Sequence, residues 1–298
     1  MSAKTTLYAS PWALVVLAVA GAGIFLWNTI NLRLDRDIFA QDRGEITTTP
    51  ADVGLAYEEQ TLTTADGVAL HAWFIPGNLD AGIVMAPGYT DSMSVILKYA
   101  PFLHQAGYQL LLFDPRGQGQ SAGKLYAFGA FEPLDIAAGM RYLRRVHNVE
   151  HVALFGHSNG ATAALIAAAQ HPYPEVFAVV ADSPFANLAL ASRSPAFSDP
   201  FLDALFPLYA GVARARLGFD LFQRTNALAV IERVSHVLLI HGTADTTVTP
   251  QNSKLLFERA QEPKVLWLVD GAAHVRSFET DPKRYAERVV AFLDQFKP

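Results

Sequence analysis

Between residues 57 and 298 the chain alternates short, continuously apolar runs with longer segments that are amphipathic at helical spacing. Tyr57 to Thr63 and Val68 to Ile75 read as strands, and Ala65-Asp66-Gly67 between them carries the Asp-Gly signal of a tight hairpin turn. Further strand-like runs follow at Gly82–Ala86, Tyr108–Phe113, His151–Phe155, Val176–Ala181, Val237–Ile240 and Lys264–Val269. Helical segments fall between them: Met93–Gln105, Phe131–Val146 with Ile136, Met140 and Leu143 on one stripe, Ala161–Gln170, Pro250–Ala260 and Pro282–Phe296. Unbroken apolar strands separated by helices predict an α/β fold: a mostly parallel eight-stranded sheet with helices on both faces and an antiparallel pair at one edge.

Two segments break this rhythm. Residues 183–236, between the strands ending at Asp182 and starting at Val237, are far longer than an ordinary connection. They are rich in large apolar residues, among them Phe197, Phe201, Leu202, Phe206, Tyr209 and Phe222. A helical cap insertion at about 185–235, over the carboxyl ends of the strands, where a parallel sheet gathers its ligand-binding loops, is predicted.

The second is the N-terminus. Pro11 to Ile30 carries no charge, and Trp12 and Trp27 lie near its two ends. About 20 apolar residues match a bilayer's hydrocarbon thickness, and indoles favour its interfaces. Ala18-Val19-Ala20 resembles a signal-peptide cleavage site, but the apolar run continues well past it, which favours an uncleaved anchor. Residues 1–31 are thus expected to form a transmembrane anchor with its tail, residues 32–56 a tether, and residues 57–298 one domain. Lys4 on one side and Arg33, Arg36 and Arg43 on the other set no orientation.

The chain has 298 residues, 51% of them hydrophobic, ample for one large core. A net charge of -5 lacks the basic footprint of a nucleic-acid partner. The absence of cysteine removes disulfides, thiolate metal sites and cysteine nucleophiles.

The chemistry concentrates at Gly156-His157-Ser158-Asn159-Gly160, where a strand stops and a helix starts. A serine on so tight a turn sits in strained backbone, and side chains at Gly156 and Gly160 would strike the neighbouring strand and helix. The helix N-terminus that follows favours developing negative charge. Ser158 needs a base, and the base needs an acid. In a parallel sheet such groups come from loops after strands. Asp245 follows Ile240, and His274 follows Val269. The order Ser158, Asp245, His274 assigns nucleophile, orienting acid and base, with Asp182, which also ends a strand, as the competing acid. Of the other histidines, His157 is expected to pack beside the nucleophile and His241 to order the loop carrying Asp245. The backbone N–H groups of Asn159 and Tyr89 are the expected oxyanion donors.

Together these residues resemble the α/β-hydrolase superfamily from Tyr57 to Pro298. Gly156–Gly160 is similar to its elbow, and Asp114-Pro115-Arg116-Gly117-Gln118-Gly119-Gln120-Ser121 to its Asp-x-Arg-Gly-x-Gly-x-Ser loop, which the resemblance makes structural. His241–Asp245 and Gly271–His274 resemble its acid and histidine loops. Pro87-Gly88 stands where the family usually has His-Gly. The chain looks most like small membrane-anchored serine hydrolases with lipase, esterase or acylthioesterase activity. That implies two-step hydrolysis of an ester or thioester through an acyl-enzyme, on apolar, lipid-like acyl substrates, with no cofactor or metal. Competing readings are a peptidase of the prolyl-peptidase-like branch and a non-catalytic scaffold of the same fold.

Overall fold

The computed structural model describes residues 10–39, 43–171, 174–195 and 204–297. Its eight strands are β1 (Glu58–Thr63), β2 (Ala69–Ile75), β3 (Ala81–Ala86), β4 (Gln109–Phe113), β5 (His151–His157), β6 (Val176–Asp182), β7 (Val237–Gly242) and β8 (Lys264–Val269). They form one sheet in the order β1-β2-β4-β3-β5-β6-β7-β8. β2 pairs antiparallel with both β1 and β4, and every pairing from β4 through β8 is parallel. The sheet is therefore mixed, with its antiparallel part at one edge.

Alternation along the central strands accounts for helices on both faces. Val84, Leu111 and Leu154 point to one side and bury with Ile136, Met140, Leu165 and Leu256. The helices supplying those partners are α2 (Glu132–Val146), α3 (Asn159–Gln170) and α5 (Gln251–Arg259); α4 (Phe206–Leu217) lies between α3 and α5 in the chain, in the cap. Ile83, Leu112 and Phe155 point to the other side, where they meet Leu103, Tyr285 and Val289. The last two belong to α6 (Pro282–Phe296). The segment expected as one helix at Met93–Gln105 is two short helices, Met93–Ile96 and Ala100–Gln105, joined by a 3-10 turn.

Helix α1 (Pro11–Leu34) is long and apolar enough to cross a membrane. Most of it is exposed, Trp12 at 79%, yet its C-terminal end is buried. Ile30, Leu34 and Ile38 pack at i, i+4 spacing against Ala127, Val212, Ala213 and Leu221. Of the expected tether, residues 43–56 lie along the domain. Arg43 donates to the Gly117 and Ser121 carbonyls, Ser92 donates to the Glu45 carbonyl, and Ile46 and Leu55 rest on the core.

The described residues of the long segment between β6 and β7 are largely helical. They include α4 (Phe206–Leu217) and the short helices Leu188–Ala191 and Leu221–Arg224. Phe197, Phe201 and Leu202, expected in the cap, lie outside the described residues, as does Lys4.

Candidate active site

β5 runs into α3 through a single residue, Ser158, whose φ of 51° and ψ of -119° lie far from either element's geometry. The Ser158 N–H donates to the Asp182 carbonyl at 2.8 Å, and Thr162 N–H returns to the Ser158 carbonyl at 3.1 Å, fixing the turn at both ends. The glycines explain themselves sterically. A Cβ on Gly156 would lie within 3.0 Å of the Gly160 backbone, and one on Gly160 within 3.0 Å of the Ala86 and Pro87 backbone. Neither contact can be relieved by a side-chain rotation.

Loops after β7 and β8 reach the same point. The His274 Nε2 lies 2.9 Å from Ser158 Oγ, and its Nδ1 lies 2.6 Å from Asp245 Oδ2. The other carboxylate oxygen, Oδ1, accepts the N–H groups of Thr247 and Val248, each at 2.9 Å. Burial works against a charge on Asp245, but hydrogen bonds from His241 and His274 outweigh it and hold the carboxyl down at about 2. The acid and histidine loops are also tied directly: Gly271 N–H donates to Thr243 Oγ1 at 2.8 Å, and Ala244 N–H to the Ala272 carbonyl at 3.0 Å. Val275, next to the histidine, has a φ of 57°, a strained value for a β-branched residue.

The competing acid goes elsewhere. Asp182 is fully buried and accepts from Ser183 Oγ at 2.8 Å and Tyr285 OH at 2.9 Å. Burial pushes its carboxyl above the usual range. His241 lies under the acid loop, its Nδ1 2.6 Å from Ser253 Oγ and its Nε2 2.7 Å from the Val248 carbonyl and 3.2 Å from Asp245. In the Asp114–Ser121 loop, the Asp114 carboxylate accepts from the N–H groups of Met93 and Gln120. Arg116 bridges Asp66 and Asp135 there.

Tyr89 and Asn159 line the same cavity as Ser158 and His274. Asn159 is the first residue of α3, where the N–H has no partner within the helix. Two contacts fix the loop after β3 that carries Tyr89. Tyr126 OH donates to the Gly88 carbonyl at 3.2 Å and accepts from Asn159 Nδ2 at 2.5 Å. His157 Nε2 lies 3.1 Å from Asp91 Oδ2. The Tyr89 ring stacks on Phe128 at 4.6 Å. Sequence reasoning missed Tyr126 and Asp91, which carry no motif.

The cavity has a volume of about 470 Å³. Phe128, Phe185, Leu188, Phe206, Leu221 and Phe222 make its wall largely apolar, and most of them come from the cap segment. Arg33 and Arg36, from the end of α1 and the turn after it, also line it. For these, the Ile30, Leu34, Ile38 stripe was the available sequence signal, since it shows that α1 packs at its end.

A family model described as serine aminopeptidase, S33, matches residues 77–226. The chain is 27% identical to the uncharacterized protein YqkD of Bacillus subtilis, over 94% of each. It is 30% identical to the uncharacterized protein YfhR of Salmonella typhimurium, over 77% of each. Among solved structures it is similar to the Pyrococcus furiosus esterase Pf2001, at 28% identity and a TM-score of 0.70, covering 84% of this chain and 96% of that one. A monoacylglycerol lipase of Paleococcus ferrophilus shares the fold at 24% identity, with a TM-score of 0.60 and coverage of 82% and 100%. With a matching sheet and a family match across half its length, the chain belongs to the α/β-hydrolase superfamily, in the serine aminopeptidase S33 family.

Proposed function

We infer that this hydrolase is a serine esterase working through Ser158, His274 and Asp245 on substrates with an apolar acyl group. The observation that carries the reading is the unbroken relay of Ser158 Oγ, His274 and Asp245, at 2.9 Å and 2.6 Å, opening into an apolar cavity. The likeness to an esterase at 28% identity supports it.

In the first step Ser158 Oγ attacks the ester carbonyl carbon while His274 Nε2 takes its proton. Asp245 holds the ring with Nδ1 protonated and stabilises the imidazolium. The N–H groups of Asn159 and Tyr89 receive the charge on the carbonyl oxygen. The carbon–oxygen bond to the leaving alcohol then breaks, and the alcohol takes the proton from His274. Water repeats the sequence on the acyl-serine and releases the carboxylic acid. Helix α1 serves as the membrane anchor in this reading, residues 32–56 are the tether, and the insertion at about 185–235 caps the site.

The family's description favours a second reading, an aminopeptidase. Such an enzyme must hold a substrate ammonium, which calls for carboxylates in the cavity. Among the described residues the cavity wall has one, Asp91, which faces His157, and two arginines, Arg33 and Arg36. That charge balance favours the ester. The test is hydrolysis of p-nitrophenyl acyl esters against aminoacyl amides by the full chain and by Ser158→Ala. Ester turnover lost in the variant supports the reading; faster amide turnover, or ester turnover surviving Ser158→Ala, rules it out.

A further inference from the structure

The end of α1 is part of the wall of the cavity that holds Ser158 and His274. Arg33 and Arg36 reach it because the fold holds them there. Ile30, Leu34 and Ile38 are buried against the cap. From α4, Arg216 donates to Asn31 Oδ1 at 3.1 Å and to Asp35 Oδ1 at 2.7 Å, on either side of Arg33.

Sequence order gives these arginines a depth. Pro11 to Leu32 carries no charge, and its side chains are largely exposed, Leu32 at 70%. A helix of 24 residues is about 36 Å long at roughly 1.5 Å per residue. That exceeds the hydrocarbon core of a bilayer, about 30 Å. Seated there, α1 sets Arg33, its first charged residue, at the headgroup layer, where arginines favour the interface. The cavity then meets the same layer, with its aromatic and aliphatic wall leading from there to Ser158.

We propose that the site takes a single-chain ester from that leaflet whose headgroup carries a phosphate-like anion, with the acyl chain in the apolar cavity and the anion on Arg33 and Arg36. This rests on the ester-hydrolase reading above. A guanidinium has five N–H donors in a planar fork suited to such oxyanions, so each arginine can hold one while keeping its contacts within the protein. A cavity of about 470 Å³ is in the lower half of the range for small-ligand sites, which suits one chain rather than two. The ester and one water become a carboxylic acid and an alcohol; the anion is held and is chemically unchanged.

The test uses the full chain in neutral detergent micelles with two esters of the same acyl chain, a lysophosphatidylglycerol and a monoacylglycerol. Fluorophosphonate labelling of Ser158 is followed in parallel. The expected kcat/KM is at least about tenfold higher for the anionic ester, and Arg33→Glu and Arg36→Glu each reduce that ratio about tenfold. Arg33→Lys, which keeps the charge and loses the fork, retains part of it. A ratio at or below one, or one untouched by both reversals, overturns the proposal while leaving the esterase intact. Failure to turn over either ester, with Ser158 unlabelled, removes the esterase reading and this inference with it.

Discussion

Asp245 holds His274 from one side with a carboxylate that is itself fixed on the other: Oδ2 lies 2.6 Å from the ring Nδ1, while Oδ1 accepts two backbone N–H groups. Such an acid sets a tautomer. Asp245→Asn keeps the shape but offers an amide in place of an acceptor. The expected result is a fall in kcat of about 10³- to 10⁴-fold with little change in KM, read from steady-state ester hydrolysis.

The same carboxyl makes a pH prediction. Its folded-state value of about 2 lies below the usual 3.8. A depressed acid contributes stability that is fully present above the unfolded value and is lost as pH falls through the folded one. The stability difference between the protein and Asp245→Asn, measured by denaturant titration, is therefore expected to be flat above about pH 5. It should shrink between about pH 3.8 and 2. By the same sign, any acid limb of the activity profile above pH 4 belongs to another group.

Two glycines separate the elbow from the loop that carries Tyr89. A Cβ on Gly160 meets backbone of β3 and the residue after it, which cannot move without breaking the sheet. Gly160→Ala is expected to yield little soluble protein. A Cβ on Gly88 meets side-chain atoms instead, Asp91 Oδ2 at 2.7 Å and His157 Cδ2 at 3.1 Å. Gly88→Ala should therefore fold, displace the Tyr89 N–H and lose up to about 10²-fold in kcat, the scale of one oxyanion donor. Thermal melts beside kinetics distinguish the two.

The cap and the end of α1 share a small core apart from the sheet. Leu34 is 1% exposed there, and Leu34→Ala is expected to weaken that core by about 2–5 kcal/mol. The loss should be local, so limited proteolysis should cut α4 faster while the main melting transition stays in place. Arg216→Ala removes partly exposed bonds worth about 1 kcal/mol or less, and should change the cleavage rate far less.

Strands such as β5 could be read from the chain because a strand buried on both faces leaves an unbroken apolar run, Val152 to Phe155. The expected Ser158, Asp245 and His274 could be named because each follows such a run. What the sequence could not show depends on surfaces meeting across the fold. Nothing in the pattern puts the Tyr126 hydroxyl between Gly88 and Asn159, or pairs His157 with Asp91. The apolar run at the N-terminus stops at Ile30 because Asn31 and Arg33 are polar, yet the helix goes on to Leu34. It does so because Leu34 and Ile38 have the cap to bury against; their spacing with Ile30 marks a packed stripe, but the partner it packs on is a tertiary fact that one segment does not contain.

The central claim is that the acyl group passes through Ser158. The most direct measurement is to quench the full chain during turnover of a slowly deacylated ester and map the adduct by peptide mass spectrometry. One acyl group is expected, on the peptide containing Ser158, absent in Ser158→Ala and accumulating in His274→Ala only at a greatly reduced rate. An adduct on another residue, or undiminished turnover in Ser158→Ala, contradicts that claim.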